Sequence, residues 1–236
     1  MTTLADSVAL VTGANRGIGR EFVQQLLDRG AAKAYAGARD PQSAMHDDPR
    51  VVPLALDVTD LDSVARAAEA AHDVSVLVNN AGISTPTPVL SKDTSQLRRE
   101  LEVNLFGPLA VTSAFIDGVV ERTGVVVNVA SILSWLGLGG SYGVSKAALW
   151  SATDSMRLDL APKGVQVVGV YMAYVDTDMT AGVAAPKTAP EDVVRQVLDG
   201  VEAGELEIFA DDLTRDVRAS LHLPVATRYA PFSQAG

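Results

Sequence analysis

The chain has 236 residues, of which 47% are hydrophobic and 20% charged, and this balance excludes a disordered protein. Its formal charge of −10 argues against nucleic acid as a partner, because a polyanion would be repelled. Cysteine is absent, which excludes disulfides, thiolate metal sites and a cysteine nucleophile and is compatible with a reducing cytosol.

Neither a membrane span nor a metal site is indicated. No run of 18 apolar residues occurs, so no transmembrane helix is expected. The first residues, MTTLADSVALVTG, lack the basic region and the cleavage site of a secretory signal, and we expect a cytoplasmic protein. The three histidines, His46, His72 and His222, lie in polar or peripheral segments without the spacing of metal ligands.

Short β-branched segments alternate with longer amphipathic ones. In chain order, this pattern predicts a strand at 7–11, a helix at 17–29, strands at 34–37 and 51–56, a helix at 61–71 behind an Asp60 cap, a strand at 75–79, a helix at 94–120 that bends near Gly107 and Pro108, a strand at 124–129, a helix at 141–161, a strand at 165–171, a helix at 190–201, a strand at 207–210 and a helix at 213–221. The loosest segments are expected at 40–49, at 181–189 and after Leu223.

Continuous apolar strands separated by helices are typical of a parallel sheet that is covered on both faces. The alternation of strand and helix therefore predicts an α/β protein with a doubly wound, Rossmann-type parallel sheet of about seven strands and helices on both faces. No internal repeat and no linker is evident, so residues 1–236 are interpreted as one dinucleotide-binding and catalytic domain.

A glycine-rich turn joins the first strand to the first helix. Glycine allows a tight turn and lets a pyrophosphate approach the backbone, while the helix N-terminus offers free N–H groups and the positive end of its dipole. The strand–turn–helix context predicts a dinucleotide site rather than an ordinary connection. Its residues would be Gly13, Asn15, Arg16, Gly17, Ile18 and Gly19.

The spacing of this turn, Gly-x3-Gly-x-Gly, resembles that of the short-chain dehydrogenase/reductase family. Three more motifs extend the resemblance from about Val8 to Met179: Asn79-Asn80-Ala81-Gly82, Tyr142-x3-Lys146, and the segment 175–179. The resemblance implies that Asn80, Ala81 and Gly82 approach the cofactor, that Asp57 and Val58 contact its adenine, and that the Val175 backbone and the Thr177 hydroxyl hold the nicotinamide carboxamide. The usual Pro-Gly before the last segment is replaced by Met172-Ala173-Tyr174.

The end of the second strand bears on the choice of cofactor. An acidic residue there binds the ribose 2′-OH of NAD, whereas a basic residue accommodates the 2′-phosphate of NADP. Neutral Ala38 stands where the acidic residue is expected and Arg39 follows it, so Arg39 and Arg16 predict a clamp for a 2′-phosphate and hence NADP(H). Asp40 is expected to face solvent or to cap the next turn; the alternative is that both arginines are solvated surface charges.

Tyr142 and Lys146 lie four residues apart, which places them on one helix face. A free tyrosine has a pKa of about 10, so a base working near neutral pH needs a lower value. We expect the Lys146 ammonium to lower the pKa of Tyr142 and both residues also to contact the cofactor. A surface pair is the alternative interpretation.

The resemblance implies two further catalytic residues. Ser131 matches the serine that orients the substrate, although it stands 11 residues before Tyr142, two fewer than is common in the family. Either the intervening loop is shortened and Ser131 stays in place, or the loop is rearranged and Ser131 is misplaced. Asn104 matches the asparagine whose carbonyl supports a proton relay, for which Gly107 and Pro108 supply a break in the helix.

These residues together predict an NADPH-dependent carbonyl reductase or alcohol dehydrogenase with Tyr142 as the acid or base. We expect a small ketone or aldehyde with an apolar group, bordered by Trp135, Leu136, Leu138, Tyr174 and Met179 unless these belong to the core or to an interface. A non-catalytic NADP(H)-binding regulator on the same fold is the alternative. The resemblance also implies a homodimer or homotetramer, with close packing through the Ala-rich helices.

Overall fold

The computed structural model describes residues 3–232 and contains a seven-stranded, fully parallel sheet. Its order is β3-β2-β1-β4-β5-β6-β7, so the direction of winding reverses between β1 and β4. In such sheets ligands bind beyond the carboxyl ends of the strands at that reversal. The strands are β1 Val8–Thr12, β2 Lys33–Ala38, β3 Val51–Ala55, β4 Val76–Asn79, β5 Val125–Val129, β6 Gln166–Tyr171 and β7 Glu207–Phe209.

Helices connect the strands and cover the sheet. They are α1 Gly17–Asp28, α2 Leu61–Ala70, α3 Ser95–Leu101, α4 Gly107–Glu121, α5 Gly140–Leu160, α6 Pro190–Ala203, α7 Asp212–Ala219 and α8 Val225–Tyr229. Asp60 caps α2 as predicted, because its side chain accepts a hydrogen bond from the Asp62 N–H.

Side chains alternate between the two faces of the sheet and build one apolar cluster on each. On one face, Val11 packs with Phe22 of α1 and Val197 of α6. On the other, Leu10 packs with Phe115 of α4 and with α2 and α5. The predicted doubly wound α/β fold is thus confirmed, and it holds the strand ends at one rigid edge.

The helix predicted at 94–120 is interrupted earlier than expected. A π-helical segment, Glu102–Phe106, separates α3 from α4, and the Gly107 N–H bonds the Glu102 carbonyl five residues back. The break was predicted at Gly107 and Pro108, but the spacing of the backbone hydrogen bonds already changes from four residues to five about one turn before Pro108. The normal helical partner of the Asn104 carbonyl would be the N–H of Pro108, which proline lacks.

The same stretch, Ser95–Glu121, is long and apolar enough to cross a membrane by composition, with a mean hydropathy of 1.5 over its most apolar 18 residues. No such stretch was expected from the sequence. In the fold it is a core helix: Val111, Phe115 and Val119 are buried against the sheet. Packing in the protein interior accounts for the buried 39% of this window.

The C-terminal tail is more structured than the sequence indicates. The segment after Leu223 was predicted to be loose, yet it contains α8, and Tyr229 and Phe232 pack beside a third apolar cluster. That cluster contains Trp135 and Tyr171, whose rings stack with centroids 4.4 Å apart. Tertiary contact with these rings orders a segment whose local sequence carries little helical pattern.

Candidate active site

The glycine turn packs closely against its neighbours. Gly13 has a φ of +66°, and a Cβ there would lie 3.0 Å from the Ala81 Cα. A Cβ on Gly19 would collide with the Gly13 carbonyl oxygen. Both positions therefore require glycine for the turn to sit against β4 and for α1 to begin directly behind it.

The N-terminus of α1 suits an anion. No side chain caps it, and no acidic residue lies in its first turn. The first N–H groups of a helix otherwise lack partners and carry partial positive charge. This donor set fits the pyrophosphate of a dinucleotide.

The Asn80 side chain ties the glycine turn to the end of β4. Its Nδ2 donates to the Thr12 carbonyl at 2.9 Å and to the Gly13 carbonyl at 3.2 Å. The Thr12 hydroxyl accepts the N–H groups of Asn80 and Ala81 at 3.0 and 2.9 Å. This motif thus fixes the reversal point of the sheet, and Gly82 follows it directly.

At the carboxyl ends of β2 and β3, the Asp40 and Asp57 carboxylates are hydrogen-bonded within their own turns. Asp40 accepts a hydrogen bond from the Gln42 N–H at 3.0 Å, which confirms that it caps the next turn. Asp57 accepts the Thr59 N–H and hydroxyl at 2.9 and 2.7 Å. These bonds, and to a smaller extent the charge of Arg39, lower the pKa of Asp57. Arg39 is exposed, so its charge is available at the end of β2.

Two other residues predicted at this end have protein partners. The Val58 side chain is buried beneath Gly107, so only its backbone can approach a ligand. The Arg16 guanidinium forms an exposed ion pair with Asp178 at 2.8 Å. Since Asp178 belongs to the segment after β6, this pair bridges the two sides of the cofactor edge. A 2′-phosphate would have to compete with Asp178 for Arg16.

The structure brings Ser131 to Tyr142. The Ser131 side chain lies within hydrogen-bonding reach of Tyr142, so that it opposes the rise in the pKa of the phenol. It also caps the 3₁₀ turn Ile132–Ser134 by accepting the Leu133 N–H at 3.1 Å. The loop between them is shortened without moving Ser131 away, so the alternative of a misplaced serine is not supported. Two hydroxyl groups therefore converge at the carboxyl end of β5.

The expected effect of Lys146 on Tyr142 is not present in this arrangement. Burial raises the pKa of Tyr142 to about 12, and the Ser131 hydrogen bond opposes this only in part. Burial also lowers the pKa of Lys146 to about 8. The Lys146 Nζ donates to the Val129 carbonyl at 2.8 Å and lies 5.8 Å from the centroid of the Tyr142 ring. The phenol is thus protonated at neutral pH, as an acid must be.

Asn104 is buried and holds the chain beyond Gly82. Its Oδ1 accepts the Ile83 N–H at 2.9 Å, and its Nδ2 donates to the Ile83 carbonyl and to the Ser145 hydroxyl, both at 2.9 Å. A Cβ on Gly82 would lie 3.2 Å from Asn104 Oδ1 and 3.6 Å from Lys146 Nζ. The predicted residues Gly82, Asn104 and Lys146 therefore meet at one place.

Sequence reasoning missed two residues that continue this arrangement. Glu100 Oε1 accepts the Thr85 N–H at 2.6 Å, and Ser141 Oγ accepts the Thr87 N–H at 3.0 Å. Together with Asn104 they bind the N–H groups of residues 83, 85 and 87, every second residue of an extended segment. We call residues 83–87 the anchored segment. The four-residue spacing of Glu100 and Asn104, which places both side chains on one helix face, was the sequence feature that could have indicated Glu100.

The segment after β6 is held by its own contacts. A short parallel bridge joins Val175 to Thr188, and the Asp176 N–H donates to the Thr188 carbonyl at 2.9 Å. Thr177 closes a capping box with Thr180, and its methyl group faces Gly17. Thr177 therefore lies beside Gly17 of the glycine turn, while the predicted contact of Val175 and Thr177 with the nicotinamide stays a prediction.

The C-terminal tail attaches to both walls of the site. The Tyr229 hydroxyl accepts the Gly137 N–H at 2.8 Å, within the shortened loop 131–142. Asp211, which caps α7, accepts the Ala173 N–H at 2.8 Å next to the segment after β6. The tail is thus joined to the shortened loop by a hydrogen bond.

We expect Tyr229→Phe to loosen this loop, because Gly137 loses an acceptor that no neighbouring side chain replaces. The KM for a carbonyl substrate should rise about two- to tenfold, in line with the loss of one hydrogen bond. The Kd for NADPH should stay the same. Thr227→Val, which also removes a hydroxyl from α8 but not one bonded to the loop, is the control; equal KM values for both variants would refute the role of Tyr229.

Exposed apolar side chains stand on the segments that surround Tyr142. They are Leu90, Leu138, Val144, Tyr174 and Met179, with Leu90 95% exposed. Trp135 and Leu136, predicted as alternative pocket residues, are instead buried in the aromatic cluster under the tail. We call these five exposed side chains the apolar rim; they include three of the five predicted lining residues, Leu138, Tyr174 and Met179.

The comparisons with known proteins agree with this geometry. The family model "short chain dehydrogenase" matches residues 7–188. The chain is 31% identical to the 3-oxoacyl-[acyl-carrier-protein] reductase FabG of Vibrio harveyi, over 86% of this chain and 85% of that protein. It is 38% identical to the cis-4-hydroxycyclohexanecarboxylate dehydrogenase of Sinomonas cyclohexanicum, over 77% and 78% of the two chains.

A solved short-chain dehydrogenase from Burkholderia cenocepacia, in complex with NADP, is similar over 99% of both chains, with 37% identity and a TM-score of 0.93. This likeness extends over the C-terminal helices, which the family model does not reach. The chain belongs to the short-chain dehydrogenase family and is an oxidoreductase that acts on CH–OH and C=O groups with a nicotinamide dinucleotide.

Proposed function

We propose that the protein is an NADPH-dependent carbonyl reductase that reduces a ketone or aldehyde carrying an apolar group, and that it oxidises the alcohol in reverse. One observation carries the proposal: the Ser131 side chain lies close enough to Tyr142 to oppose the rise in its pKa, and Lys146 Nζ lies 5.8 Å from the centroid of the Tyr142 ring. A carbonyl oxygen that enters there can accept hydrogen bonds from both hydroxyls.

The cofactor is assigned to the edge between the glycine turn and the segment after β6. Its pyrophosphate fits the N-terminus of α1, its adenosine end fits Arg39, Asp57 and the Val58 backbone, and its nicotinamide fits Val175 and Thr177. When bound, the nicotinamide supplies the hydride in reduction and accepts it in oxidation. NADP(H) is preferred over NAD(H) on the ground of Arg39 and Arg16, and the NADP complex of the similar Burkholderia protein is consistent with it.

Each catalytic side chain has a distinct role in this proposal. Ser131 positions the carbonyl oxygen, and Tyr142 donates the proton to it as negative charge develops. Because burial raises the pKa of Tyr142, the hydroxyl is in its protonated form at neutral pH. Lys146 and Asn104 meet at Gly82, and the Asn104 carbonyl, whose α-helical donor would be the N–H that Pro108 lacks, is the proposed start of a proton relay toward the Lys146 ammonium.

The apolar rim supports a substrate with an apolar group. Leu138, Tyr174 and Met179 can bury such a group at the mouth of the site, where burial contributes roughly 25 cal/mol per Å². The similar curated proteins are named for different substrates, an acyl-carrier-protein thioester and a cyclohexane derivative, so their names select only the reaction type.

The proposed reaction is tested by following NADPH absorbance with a panel of activated ketones and aldehydes of increasing apolar size. We expect consumption of NADPH, with kcat/KM rising as the apolar group grows. Tight binding of NADPH with no turnover on any member of the panel would favour the alternative, a non-catalytic NADP(H)-binding regulator.

Lys146→Ala is expected to lower the rate of reduction about tenfold or more, because the relay loses its ammonium. In the wild type, the pKa of Lys146 is lowered to about 8, so that charge is lost as pH rises through about 8 and the rate of reduction should fall there. The rate of the Lys146→Ala variant should therefore not fall as pH rises through about 8. Lys163→Ala, an exposed lysine after α5, is the control, and the same fall of the rate in Lys146→Ala would contradict the assignment.

We also propose a cytoplasmic homodimer or homotetramer. Phe106 and Leu109 on α4 and its π segment, and Leu158 on α5, are exposed apolar side chains, with Leu158 78% exposed. A second copy of the chain would cover them by symmetric packing of the long helices. Sedimentation velocity of the purified protein distinguishes a monomer from these assemblies.

A further inference from the structure

Ser134 is a buried serine that the proposed chemistry does not use. It ends the 3₁₀ turn Ile132–Ser134 and is 5% exposed. Its Oγ donates a hydrogen bond to the backbone carbonyl of Lys146 at 3.0 Å. Among residues 3–232 this is the one hydrogen bond from the turn to α5. An alanine would fill the same place without a polar group, so this bond is what distinguishes serine here.

Lys146 binds the chain on both sides of Ser131. On one side, its Nζ donates to the Val129 carbonyl at 2.8 Å. On the other side, its own carbonyl accepts the Ser134 hydroxyl. The short segment that carries Ser131 is therefore tied to α5 at both ends, by the residue that lies one helical turn after Tyr142.

The remaining contacts of the turn leave its position along α5 open. The Ile132 N–H donates to the Met172 carbonyl at 2.9 Å, and this bond holds the turn to the segment after β6, not to α5. Toward α5 the turn packs against Gly143, where a Cβ would lie 3.3 Å from the Leu133 carbonyl oxygen. Packing has no preferred direction along a helix, whereas a hydrogen bond fixes both distance and angle. The Ser134 bond thus sets the register of the turn on α5.

This register matters for the proposed reaction. A carbonyl oxygen can accept from the hydroxyls of Ser131 and Tyr142 together only when both donors lie within hydrogen-bond distance of it, and a small displacement of one lowers the rate. The loop between them contains Gly137 and Gly139, and glycine leaves the backbone many conformations. The covalent connection alone therefore does not fix the distance between the two hydroxyls.

We propose that Ser134 is a positioning residue for the substrate: its hydroxyl fixes the turn behind Ser131 to the Lys146 backbone and so holds the Ser131 hydroxyl opposite Tyr142. The proposal rests on the proposed function, in which both hydroxyls bind the carbonyl oxygen. Ser134 acts through Ser131, because its own hydroxyl proton is engaged by the Lys146 carbonyl. Removal of the Ser134 hydroxyl should therefore slow the reaction only while Ser131 is present.

The test is kinetic, with Ser134→Ala made in the wild type and in Ser131→Ala. In the wild type, Ser134→Ala should lower kcat/KM for carbonyl reduction about two- to tenfold, the effect of one lost hydrogen bond. Ser131→Ala should lower it about 10²-fold, as when a donor to a developing oxyanion is removed. In the Ser131→Ala background, Ser134→Ala should change kcat/KM less than about twofold, because residues that act as a unit are not additive.

Ser155→Ala is the matched control. The Ser155 Oγ also donates to a carbonyl of α5, that of Ser151 at 3.1 Å, but at an exposed position away from the turn. Its kcat/KM should equal that of the wild type. The Kd for NADPH should stay the same in all of these variants, because the glycine turn is not altered.

Two results overturn the proposal. One is a kcat/KM of Ser134→Ala equal to that of the wild type. The other is an equal loss in both backgrounds, which would mean that the substitution loosens α5 as a whole. A Ser131→Ala variant that keeps the wild-type rate overturns instead the proposed function, in which Ser131 binds the carbonyl oxygen. Should Ser134→Ala not fold, Ser134→Cys, whose thiol is a weak donor, takes its place under the same criteria.

Discussion

Replacement of Tyr142 by phenylalanine is expected to lower kcat for carbonyl reduction by about 10²–10⁴-fold, the usual contribution of a general acid. The ring stays and continues to fill its place on α5, while the hydroxyl that bonds Ser131 is removed. NADPH binding, measured by fluorescence titration, should therefore change little. The measurement that checks the prediction is steady-state kinetics with the best ketone of the panel.

Tyr35→Phe is the matched control for this variant. The Tyr35 hydroxyl bonds Asp73 at 3.0 Å and Lys33 at 3.0 Å, in a polar cluster away from the catalytic tyrosine. Its loss should reduce thermal stability slightly and leave kcat unchanged. A Tyr142→Phe enzyme that retained more than about a tenth of the wild-type kcat would show that another group donates the proton.

The parts of the site that lie close together in the sequence could be predicted from it. A strand, a glycine turn and a helix specify their own geometry, so the anion-binding N-terminus of α1 was expected before the structure. The pair formed by Tyr142 and Lys146 follows equally from helical spacing. The β-branched strands predicted the sheet because burial on both faces leaves a continuous apolar run.

Contacts between distant segments could not be predicted in the same way. Glu100 and Ser141 bind the anchored segment only because α3, α5 and that segment meet in space, and apart from the spacing of Glu100 and Asn104 the sequence gives no sign of these contacts. The tail after Leu223 was predicted to be loose, yet Tyr229 bonds the loop between Ser131 and Tyr142. The pKa of Tyr142 was predicted to be lowered by Lys146, whereas burial raises it and only the Ser131 side chain opposes the rise.

The enzyme is expected to prefer NADPH over NADH in kcat/KM by about tenfold for each arginine that reaches the 2′-phosphate, which is the effect of a partly screened charge-assisted hydrogen bond. Arg39 is exposed at the end of β2, and Arg16 is held by Asp178 on the other side of the edge. The overall charge of −10 opposes this only weakly, because salt screens it beyond about 8–10 Å. Kinetics with both cofactors on the wild type measure the preference.

The double variant Ala38→Asp with Arg39→Leu should move the preference toward NADH, because it restores an acceptor for the ribose 2′-OH and removes a phosphate partner. Arg122→Leu, at the far end of α4, loses the same charge and should leave the preference unchanged.

The ion pair of Arg16 allows a second test. Asp178→Asn should strengthen the preference for NADPH, since the 2′-phosphate no longer competes with the Asp178 carboxylate for Arg16. A wild type that prefers NADH, with no response to Arg39→Leu, would mean that both arginines are surface charges and that Asp57 or Asp40 receives the ribose.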